Sequence, residues 1–424
     1  MGPVRIGIDV GGTFTDVVLF DGRSGRTVFV KVPSTPADPA EGILWGVLRA
    51  LAEAGARPDE VGYFAHGSTV ATNALLEGRG ARVGLVTTAG FRDLLEIGRQ
   101  TRPHLYDLQV DKPQPLVPRD LRLEVRERIY ADGRVLLPLH EDDVRRAAAR
   151  FKGAGVEAVA VCYLHGYRYP DHELATELIL KGELPDAFLS VAHRVLPEFR
   201  EFERLSTTVV NAYLGPVVSR YIQSLRRRLD ELGISCPPYM TQSNGGGMTL
   251  DVAAGYTHRT VLSGPSAGVV GATHLAALAD LKDVLTFDMG GTSADLSLVV
   301  GGRPAVAFGR EVAGYPVKAP MVDVKTIGAG GGSIARVDSG GLLKVGPESA
   351  GAFPGPACYG LGGDEPTVTD AHVVLGTLNP GGLLGGQMPI DPGKAWKAVG
   401  KLASRLGLDV PTAAAGVGAV VVAG

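Results

Sequence analysis

The 424-residue sequence has only three cysteines, and they lie far apart, at Cys162, Cys236 and Cys358. An odd, scattered set argues against a disulfide framework and indicates a reducing compartment. The sequence also lacks any run of about 18 apolar residues, so no membrane span is expected. A strand-like segment begins within a few residues of Met1, which leaves no room for a signal peptide. These absences predict a cytoplasmic protein.

Charge of either sign is not in large excess. Lys and Arg number 42, Asp and Glu 45, and the net charge is −3. This balance excludes an electrostatic attraction to nucleic acid or to an anionic membrane, and we expect neither as a partner. The densest basic run, residues 226–228, lies on a helix predicted over residues 216–232 and is interpreted as a solvated face. The length predicts two domains, over residues 1–200 and 201–424.

Two short segments, residues 9–16 (DVGGTFTD) and 288–295 (DMGGTSAD), are nearly the same. Each follows an apolar, strand-like run and leads into another, which predicts two β-hairpins with Gly-Gly-Thr at the tip. Glycines allow the close backbone approach that such a tip needs. Exposed N–H groups bind phosphate oxygens, and flanking carboxylates hold a hard cation such as Mg²⁺. One hairpin in each half of the chain suggests that the two close on a nucleotide polyphosphate from both sides.

The duplicated segments define the candidate site. Asp9 and Asp288 are expected to be catalytic and to bind Mg²⁺ or its waters. The residues expected to bind the nucleotide lie in the two hairpins and in a later glycine-rich segment: Gly11, Gly12, Thr13, Thr15, Asp16, Gly290, Gly291, Thr292, Asp295, Gly330, Gly331, Gly332 and Ser333.

The remaining pattern is that of an α/β protein with a mixed sheet. Residues 4–32 are predicted as a three-stranded meander, followed by a helix that begins at Asp38-Pro39 and stops near Gly55. Charged and apolar helix patterns then alternate with apolar strands. A further helix is expected to begin at Ser263, where free N–H groups would favour an anion.

Other motifs leave alternatives open. The sequence contains no P-loop. Residues 328–333 approximate a dinucleotide-binding pattern, although Ser333 replaces the third glycine. Cys162, His165 and His172 have a superficial zinc-ligand spacing, for which ordinary packing is the alternative.

Two further segments carry polar side chains of interest. Asp370 and His372 could ligate a cation. His66, Ser68 and Thr69 could contact a substrate or a phosphate, although helix capping alone explains the two hydroxyls.

The chain resembles a known family. The paired phosphate hairpins are similar to those of the actin, heat-shock chaperone and sugar kinase superfold. The hydantoinase A / 5-oxoprolinase family is indicated by segments that cover almost the whole chain in order: residues 66–74 (HGSTVATNA), 90–100 (GFRDLLEIGRQ), 263–265 (SGP), 326–333 (TIGAGGGS) with Asp323, 355–360 (GPACYG) and 366–371 (PTVTDA).

The resemblance implies a two-lobed actin-like, ribonuclease H-like ATPase fold with mixed sheets. It also implies ATP and Mg²⁺ as cofactors. The implied reaction is hydrolysis of a cyclic amide such as 5-oxoproline or a hydantoin, in which phosphorylation of the lactam oxygen precedes ring opening. Such proteins work with a second, hydantoinase B-type subunit, so a hetero-oligomer is expected. Family members are usually longer, and we therefore expect a C-terminally truncated chain with an incomplete second lobe.

Two other functions remain open at this point. Carboxylase relatives within the family use ATP to activate a ketone, and nothing in these residues separates that reaction from amide hydrolysis. The third possibility is a non-catalytic nucleotide-binding module or a truncated remnant, which the short length favours.

Overall fold

The computed structural model describes residues 2–12, 14–35, 38–107, 109–383, 386 and 388–423. Contacts divide the chain into two compact units, each assembled from separate segments. Unit 1 contains Met1–Arg5, Pro58–Ser266 and Val306–Met321, and unit 2 contains Ile6–Arg57, Ala267–Ala305 and Val322–Gly424. These units differ from the predicted division near residue 200, because segments from both chain halves pack together in each of them.

The chain forms an α/β structure, as predicted. The strands are β1 (Val4–Val10), β2 (Phe14–Asp21), β3 (Arg26–Pro33), β4 (Val61–Ser68), β5 (Val83–Thr88), β6 (Arg122–Val125), β7 (Arg128–Ile129), β8 (Val135–Leu137), β9 (Ala158–Cys162), β10 (Phe188–Val191), β11 (Pro238–Thr241), β12 (Gly247–Thr249), β13 (Val284–Met289), β14 (Ala294–Val300), β15 (Arg303–Pro304), β16 (Val306–Ala307), β17 (Arg310–Val312), β18 (Tyr315–Val317), β19 (Met321–Val322), β20 (Val324–Ile327), β21 (Ser333–Val337) and β22 (Leu343–Ser349). The α-helices are α1 (Pro39–Ala54), α2 (Val70–Leu76), α3 (Leu94–Ile97), α4 (Glu141–Gly153), α5 (Asp171–Glu183), α6 (Ala192–Val195), α7 (Glu201–Glu231), α8 (Leu250–Gly255), α9 (Ser263–Leu278), α10 (Val368–Val374), α11 (Pro392–Leu406) and α12 (Val410–Ala423).

Unit 1 is built around a parallel sheet in the order β10-β9-β5-β6. Every residue of β5 and β9 is buried, and α7 packs against β9 and β10. Continuous burial of this kind is typical of a parallel sheet that is covered on both faces. Elsewhere in the unit, β11 pairs parallel to β4 and antiparallel to β12.

Helix α7 is longer than predicted. Its sequence pattern indicated a start at Pro216, but the helix begins at Glu201 and carries Pro216 in its interior. A proline inside a helix removes one backbone hydrogen bond and normally marks a boundary. Here the residues from Arg204 to Gly215 are all buried. Burial in the unit therefore outweighs the local cost of the proline.

The N-terminal part of unit 2 has the predicted meander. Strands β2 and β3 pair antiparallel, with Thr15 opposite Val32 and Asp21 opposite Arg26. Helix α1 covers this sheet; its Asp38 cap accepts a hydrogen bond from the Ala40 N–H, and Gly55 ends it in the left-handed conformation. A Cβ atom on Gly46 would lie 2.6 Å from Cγ2 of Val17, so glycine permits the close approach of helix and sheet.

The second hairpin of unit 2 consists of β13 and β14, with β15 and β20 pairing antiparallel to β14. One face of this sheet packs around Val299, Val322 and Val324, against Val269 of α9. The opposite face, which carries Leu285, Phe287 and Leu298, is exposed.

Helices α10, α11 and α12 and strands β21 and β22 form a further core in unit 2. Buried side chains from each helix meet there, including Val368, Val399 and Val417. Among the described residues, no single helix is long and apolar enough to cross a membrane. Helices α11 and α12, which are bent by 87° relative to each other, together have the length and the apolar composition of a span.

Candidate functional site

The tip of the first hairpin is a tight turn that follows β1. The Gly11 N–H donates to the Phe14 carbonyl oxygen over 3.0 Å. The Ser34 hydroxyl donates to the Gly11 carbonyl oxygen over 2.7 Å and also contacts Oγ1 of Thr15 at 3.0 Å. Thr15 is buried, whereas Gly12 is exposed at the tip. Thr13, which was predicted to bind phosphate, lies outside the described residues.

The tip of the second hairpin repeats this turn. The Gly290 N–H donates to the Ser293 carbonyl oxygen over 2.9 Å, which matches the Gly11 bond in spacing and length. Gly290 and Thr292 are exposed and Gly291 is half-buried. The two predicted hairpins are therefore confirmed as one local structure formed twice.

A glycine loop (residues 328–333) between β20 and β21 holds the second tip. The Gly331 N–H donates to the Gly290 carbonyl oxygen over 2.9 Å, and the Gly332 N–H donates to the Gly291 carbonyl oxygen over 2.6 Å. A Cβ atom on Gly330 would lie 2.6 Å from the backbone nitrogen of Thr292. Only glycine allows this approach, because backbone atoms cannot move aside as a flexible side chain can.

The glycine loop is largely buried. Gly330, Gly332 and Ser333 are buried, and the Ser333 hydroxyl accepts a hydrogen bond from the Gly330 N–H at 2.8 Å. These groups support the hairpin tip, and their role in nucleotide binding stays a prediction. The dinucleotide alternative is wrong, because the loop connects two strands and no helix begins there.

Both hairpins belong to unit 2. The prediction placed one in each half of the chain, and contacts instead group them together. Asp9 ends up with its Oδ1 atom buried and without a hydrogen-bond partner. Burial raises the pKa of Asp9 from 3.8 to about 6, and the charges of Asp16 and Asp288 raise it as well, while Lys31 opposes them. The structure therefore brings the three carboxylates of Asp9, Asp16 and Asp288 into one electrostatic environment.

The other carboxylates of the hairpins have cross-strand partners. Asp288 is exposed and lies directly opposite Asp295 in the pairing of β13 with β14. The Asp295 carboxylate accepts a hydrogen bond from the Thr326 hydroxyl at 2.6 Å. In the first hairpin, Asp16 forms an ion pair with Lys31, which lies opposite it on β3.

This arrangement suits a divalent cation that keeps part of its water. Among the described residues, no group of three His, Cys, Asp or Glu side chains has the geometry of a complete protein metal site. Mg²⁺ usually binds through one or two carboxylates, several waters and substrate phosphates. The unpartnered Oδ1 of Asp9, which lies within the electrostatic influence of the Asp288 carboxylate, fits that mode. Backbone N–H groups at the glycine tips are the kind of donor that would suit phosphate oxygens.

The three residues considered for a substrate role lie in unit 1. His66 is buried in β4, where its Nδ1 contacts the Tyr239 carbonyl oxygen at 3.1 Å and burial lowers its pKa to about 4. Ser68 is also buried; its carbonyl oxygen accepts from the Ser263 hydroxyl at 3.0 Å. Nε2 of His66 is buried without a hydrogen-bond partner, and the Ser68 hydroxyl accepts from the Val70 N–H at 3.2 Å. A contact of these side chains with a substrate stays a prediction. Thr69 is half-buried and receives a hydrogen bond from the Asn73 amide.

The two metal alternatives in the sequence are not supported. Cys162 is buried in β9, and burial raises its pKa to about 12, which disfavours the thiolate that a metal needs. His172 instead contacts Glu127, with 2.8 Å between Nδ1 and Oε2. The buried Asp370 carboxylate accepts hydrogen bonds from the backbone N–H groups of residues 357, 358 and 367 and from the Thr367 hydroxyl. It is a structural acceptor in a capping box.

Sequence reasoning missed two residues of the first hairpin's surroundings, Ser34 and Lys31. A signal for Lys31 was present, because the predicted turn after Asp21 fixes the register of β2 against β3 and places residue 31 opposite Asp16. Ser34 lies beyond the end of β3, and its contact with Gly11 depends on the packing of the whole sheet.

Comparison with known proteins identifies the relatives. The chain is 42% identical over 420 residues to caprolactamase subunit alpha of Pseudomonas jessenii, covering 97% of this chain and 60% of that one. The crystal structure of that ATP-dependent caprolactamase matches with a TM-score of 0.81, over 98% of this chain and 61% of that one. The chain is also 37% identical over 416 residues to 5-oxoprolinase 1 of Arabidopsis thaliana, covering 89% of this chain and 32% of that one.

A second solved structure, nucleotide-free acetone carboxylase, matches with a TM-score of 0.86 at 30% identity, over 98% of this chain and 61% of that one. The chain thus spans about three fifths of the length of the caprolactamase subunit and of the matched acetone carboxylase chain. Two family models cover nearly all of it: the hydantoinase/oxoprolinase N-terminal region matches residues 5–184, and hydantoinase/oxoprolinase matches residues 204–423. The chain belongs to the hydantoinase/oxoprolinase family.

Proposed function

We propose that this chain is the ATP-using subunit of an enzyme that hydrolyses a cyclic amide. The observation that carries the proposal is the buried, unpartnered Oδ1 of Asp9 in the field of the Asp16 and Asp288 carboxylates. A buried carboxylate with a free oxygen and further negative charge beside it is costly unless a cation is bound. The repeated glycine tips supply backbone where phosphates would lie.

The residues of this chain would mainly position charge. Asp9 and Asp288 would hold Mg²⁺ or its waters, and Gly11, Gly12, Gly290 and the neighbouring tip residues would cradle the phosphates. ATP, when bound, supplies a phosphoryl group that turns the poorly reactive lactam oxygen into a leaving group. Phosphoryl transfer needs alignment and charge neutralisation more than covalent protein chemistry, which fits a site built from carboxylates and backbone amides. Water then opens the ring with the help of a second, hydantoinase B-type subunit.

The substrate class is drawn from the relatives. The caprolactamase subunit and 5-oxoprolinase 1 are both named for cyclic amides. We therefore expect phosphate release from ATP to be stimulated by caprolactam, 5-oxoproline or hydantoin when this chain is combined with its partner subunit. The Asp9→Asn variant should lose the stimulation. Asp364→Asn should keep it, because Asp364 is an exposed carboxylate paired with Lys401.

A ketone carboxylase is the second candidate, because the acetone carboxylase structure matches this chain with the higher TM-score of the two. Bicarbonate separates the two reactions. Phosphate release that requires both bicarbonate and a ketone would replace the amide proposal. Release stimulated by a lactam in bicarbonate-free buffer would support it. If neither class of substrate stimulates turnover in the complete assembly, while Mg²⁺ and ATP still bind, the chain is a nucleotide-binding module.

A further inference from the structure

The two hairpins differ at one charged position. In each, the second aspartate lies opposite a residue on the adjacent strand: Asp16 opposite Lys31 on β3, and Asp295 opposite Thr326 on β20. At the second hairpin a neutral hydroxyl donates to the carboxylate. At the first hairpin the partner is a cation. The residue opposite the second aspartate is therefore a cation in the first hairpin and neutral in the second.

Lys31 is placed to act on the site rather than only on its own strand. Its ammonium contacts the Asp16 carboxylate and lies 5.3 Å from the centre of the Phe14 ring. Strands β1, β2 and β3 are neighbours in one sheet, so Lys31 lies on the same sheet as Asp9 and Asp16. The Lys31 side chain is 40% exposed and that of Asp16 is 45% exposed. An ion pair as exposed as this one is weak and exchanges readily.

We infer that Lys31 is a phosphate-binding residue. When Mg·ATP binds, the Lys31 ammonium moves from the Asp16 carboxylate to an oxygen of the ATP triphosphate. The inference rests on the proposed function. Three carboxylates repel a polyphosphate, and Mg²⁺ offsets only part of that repulsion. A lysine ammonium on a flexible four-carbon stem is a mobile point charge that suits phosphate. Because the corresponding position of the second hairpin is Thr326, the most negative end of the nucleotide lies toward the first hairpin.

A purely structural role for Lys31 makes a different prediction. If Lys31 served only to hold Asp16 and the hairpin, its removal would weaken every ligand of the site alike. If it binds phosphate, its removal should weaken Mg·ATP but not Mg²⁺ alone. Taking a cation away from three carboxylates leaves the site more attractive to another cation.

The test is equilibrium binding by calorimetry with the 424-residue chain and its Lys31→Met, Lys31→Arg and Lys401→Met variants. Lys401 is a matched control, because it is a half-exposed lysine paired with Asp364 in the same unit. We expect Lys31→Met to bind Mg·ATP about tenfold or more weakly and Mg·ADP only about threefold more weakly, since ADP lacks the terminal phosphate charge. Lys31→Arg should restore most of the affinity for Mg·ATP, and Lys401→Met should match the wild type.

Three results overturn the inference. One is wild-type affinity of Lys31→Met for Mg·ATP. Another is an equal loss of affinity for Mg·ATP and for Mg²⁺ alone, which would indicate the structural role. The third is a wild-type chain that binds no Mg·ATP, which would refute the proposed function together with the inference.

A measurement on the wild-type chain covers the case in which Lys31→Met does not fold. Amine acetylation followed by mass spectrometry should show that Mg·ATP protects Lys31 and leaves Lys401 unprotected. Equal labelling of Lys31 with and without Mg·ATP, under conditions where calorimetry detects binding, also contradicts the inference.

Discussion

The two phosphate hairpins share one turn and differ in their burial. When the two segments are aligned at Asp9 and Asp288, Ile6 and Ile8 of β1 correspond in sequence to Leu285 and Phe287 of β13. The first two side chains are 0% and 6% exposed, and the second two are 61% and 62% exposed. The same Gly-to-carbonyl hydrogen bond closes both tips. The tip is therefore specified by its own residues, and the burial of the strand face is a separate property.

The two tips are also supported differently. A helix-covered sheet and one hydroxyl, that of Ser34, hold the first tip. The glycine loop holds the second tip through two backbone N–H groups. Side-chain support can be removed by a single substitution, whereas backbone support can be disturbed only by changing the path of the loop.

The largest effect on ATP turnover is expected from replacing the first aspartate of either hairpin, Asp9 or Asp288. The effect should be equal for the two hairpins. Asp9→Asn and Asp288→Asn should each lower ATP turnover of the assembled enzyme by about 100-fold or more, because each removes a charge that holds Mg²⁺. Steady-state phosphate release measures this, with Asp364→Asn as the control. Wild-type rates in either variant would refute the assignment of that carboxylate.

The same two substitutions should separate the hairpins by stability. Burial raises the pKa of Asp9 to about 6, so at pH 7.5 the folded chain carries an ionised carboxylate that its surroundings disfavour. Asp9→Asn removes this charge and should stabilise the ligand-free fold by up to about 3 kcal/mol. Asp288 is exposed, and Asp288→Asn should change stability by less than about 0.5 kcal/mol. Urea unfolding without Mg²⁺ measures both.

The stability gain of Asp9→Asn should depend on pH with a definite sign. The folded wild type binds the Asp9 proton more tightly than the unfolded chain, so its stability relative to the variant falls as pH rises from about 4 to about 6. The gain should be complete above that window and absent below it. A gain that is constant from pH 4 to pH 8 would contradict the raised pKa.

A substitution in the glycine loop should affect only the second hairpin. Gly330→Ala should cost about 1–3 kcal/mol in unfolding free energy, because its Cβ would lie 2.6 Å from the Thr292 nitrogen. Gly328→Ala is the matched control, since a Cβ there meets nothing within 4 Å. Equal stability of the two variants would show that the loop yields more easily than the geometry indicates.

The smallest effect is expected at the first tip. Ser34→Ala removes the hydrogen bond to the Gly11 carbonyl oxygen and the contact with Thr15, and should cost about 1 kcal/mol. It should also weaken Mg·ATP binding by a few-fold, because the tip loses its support. Ser404→Ala, which removes an exposed hydroxyl within α11, should change neither quantity.

The local elements could be predicted because their causes are local. The strands of both hairpins follow from apolar, strand-like runs on either side of Gly-Gly turns, and α1 follows from Asp38, Pro39 and Gly55. The start of α7 could not be predicted, because it depends on the burial of the residues before Pro216. The position of His66 inside a sheet likewise depends on strands that are distant in sequence.

The sequence predicts that the two hairpins share one candidate site, but it does not predict that they lie in one compact unit. Asp9, Asp288 and the tip glycines were identified from the duplicated segments. Their membership in one compact unit, the raised pKa of Asp9 and the support from the glycine loop all arise from tertiary packing. Residues such as Ser34 carry no signature of their own, since a serine after a strand is common in any loop.

The exposed face of the second hairpin has a practical consequence for anyone who handles this protein. Leu285, Phe287 and Leu298 expose apolar surface to water, which favours the binding of hydrophobic dyes and aggregation at high protein concentration. Replacing them with hydrophilic residues is the obvious remedy. Phe287 is the immediate neighbour of Asp288, however, so such a remedy changes the strand that carries a proposed magnesium ligand, and solubility at this face cannot be tuned independently of the chemistry.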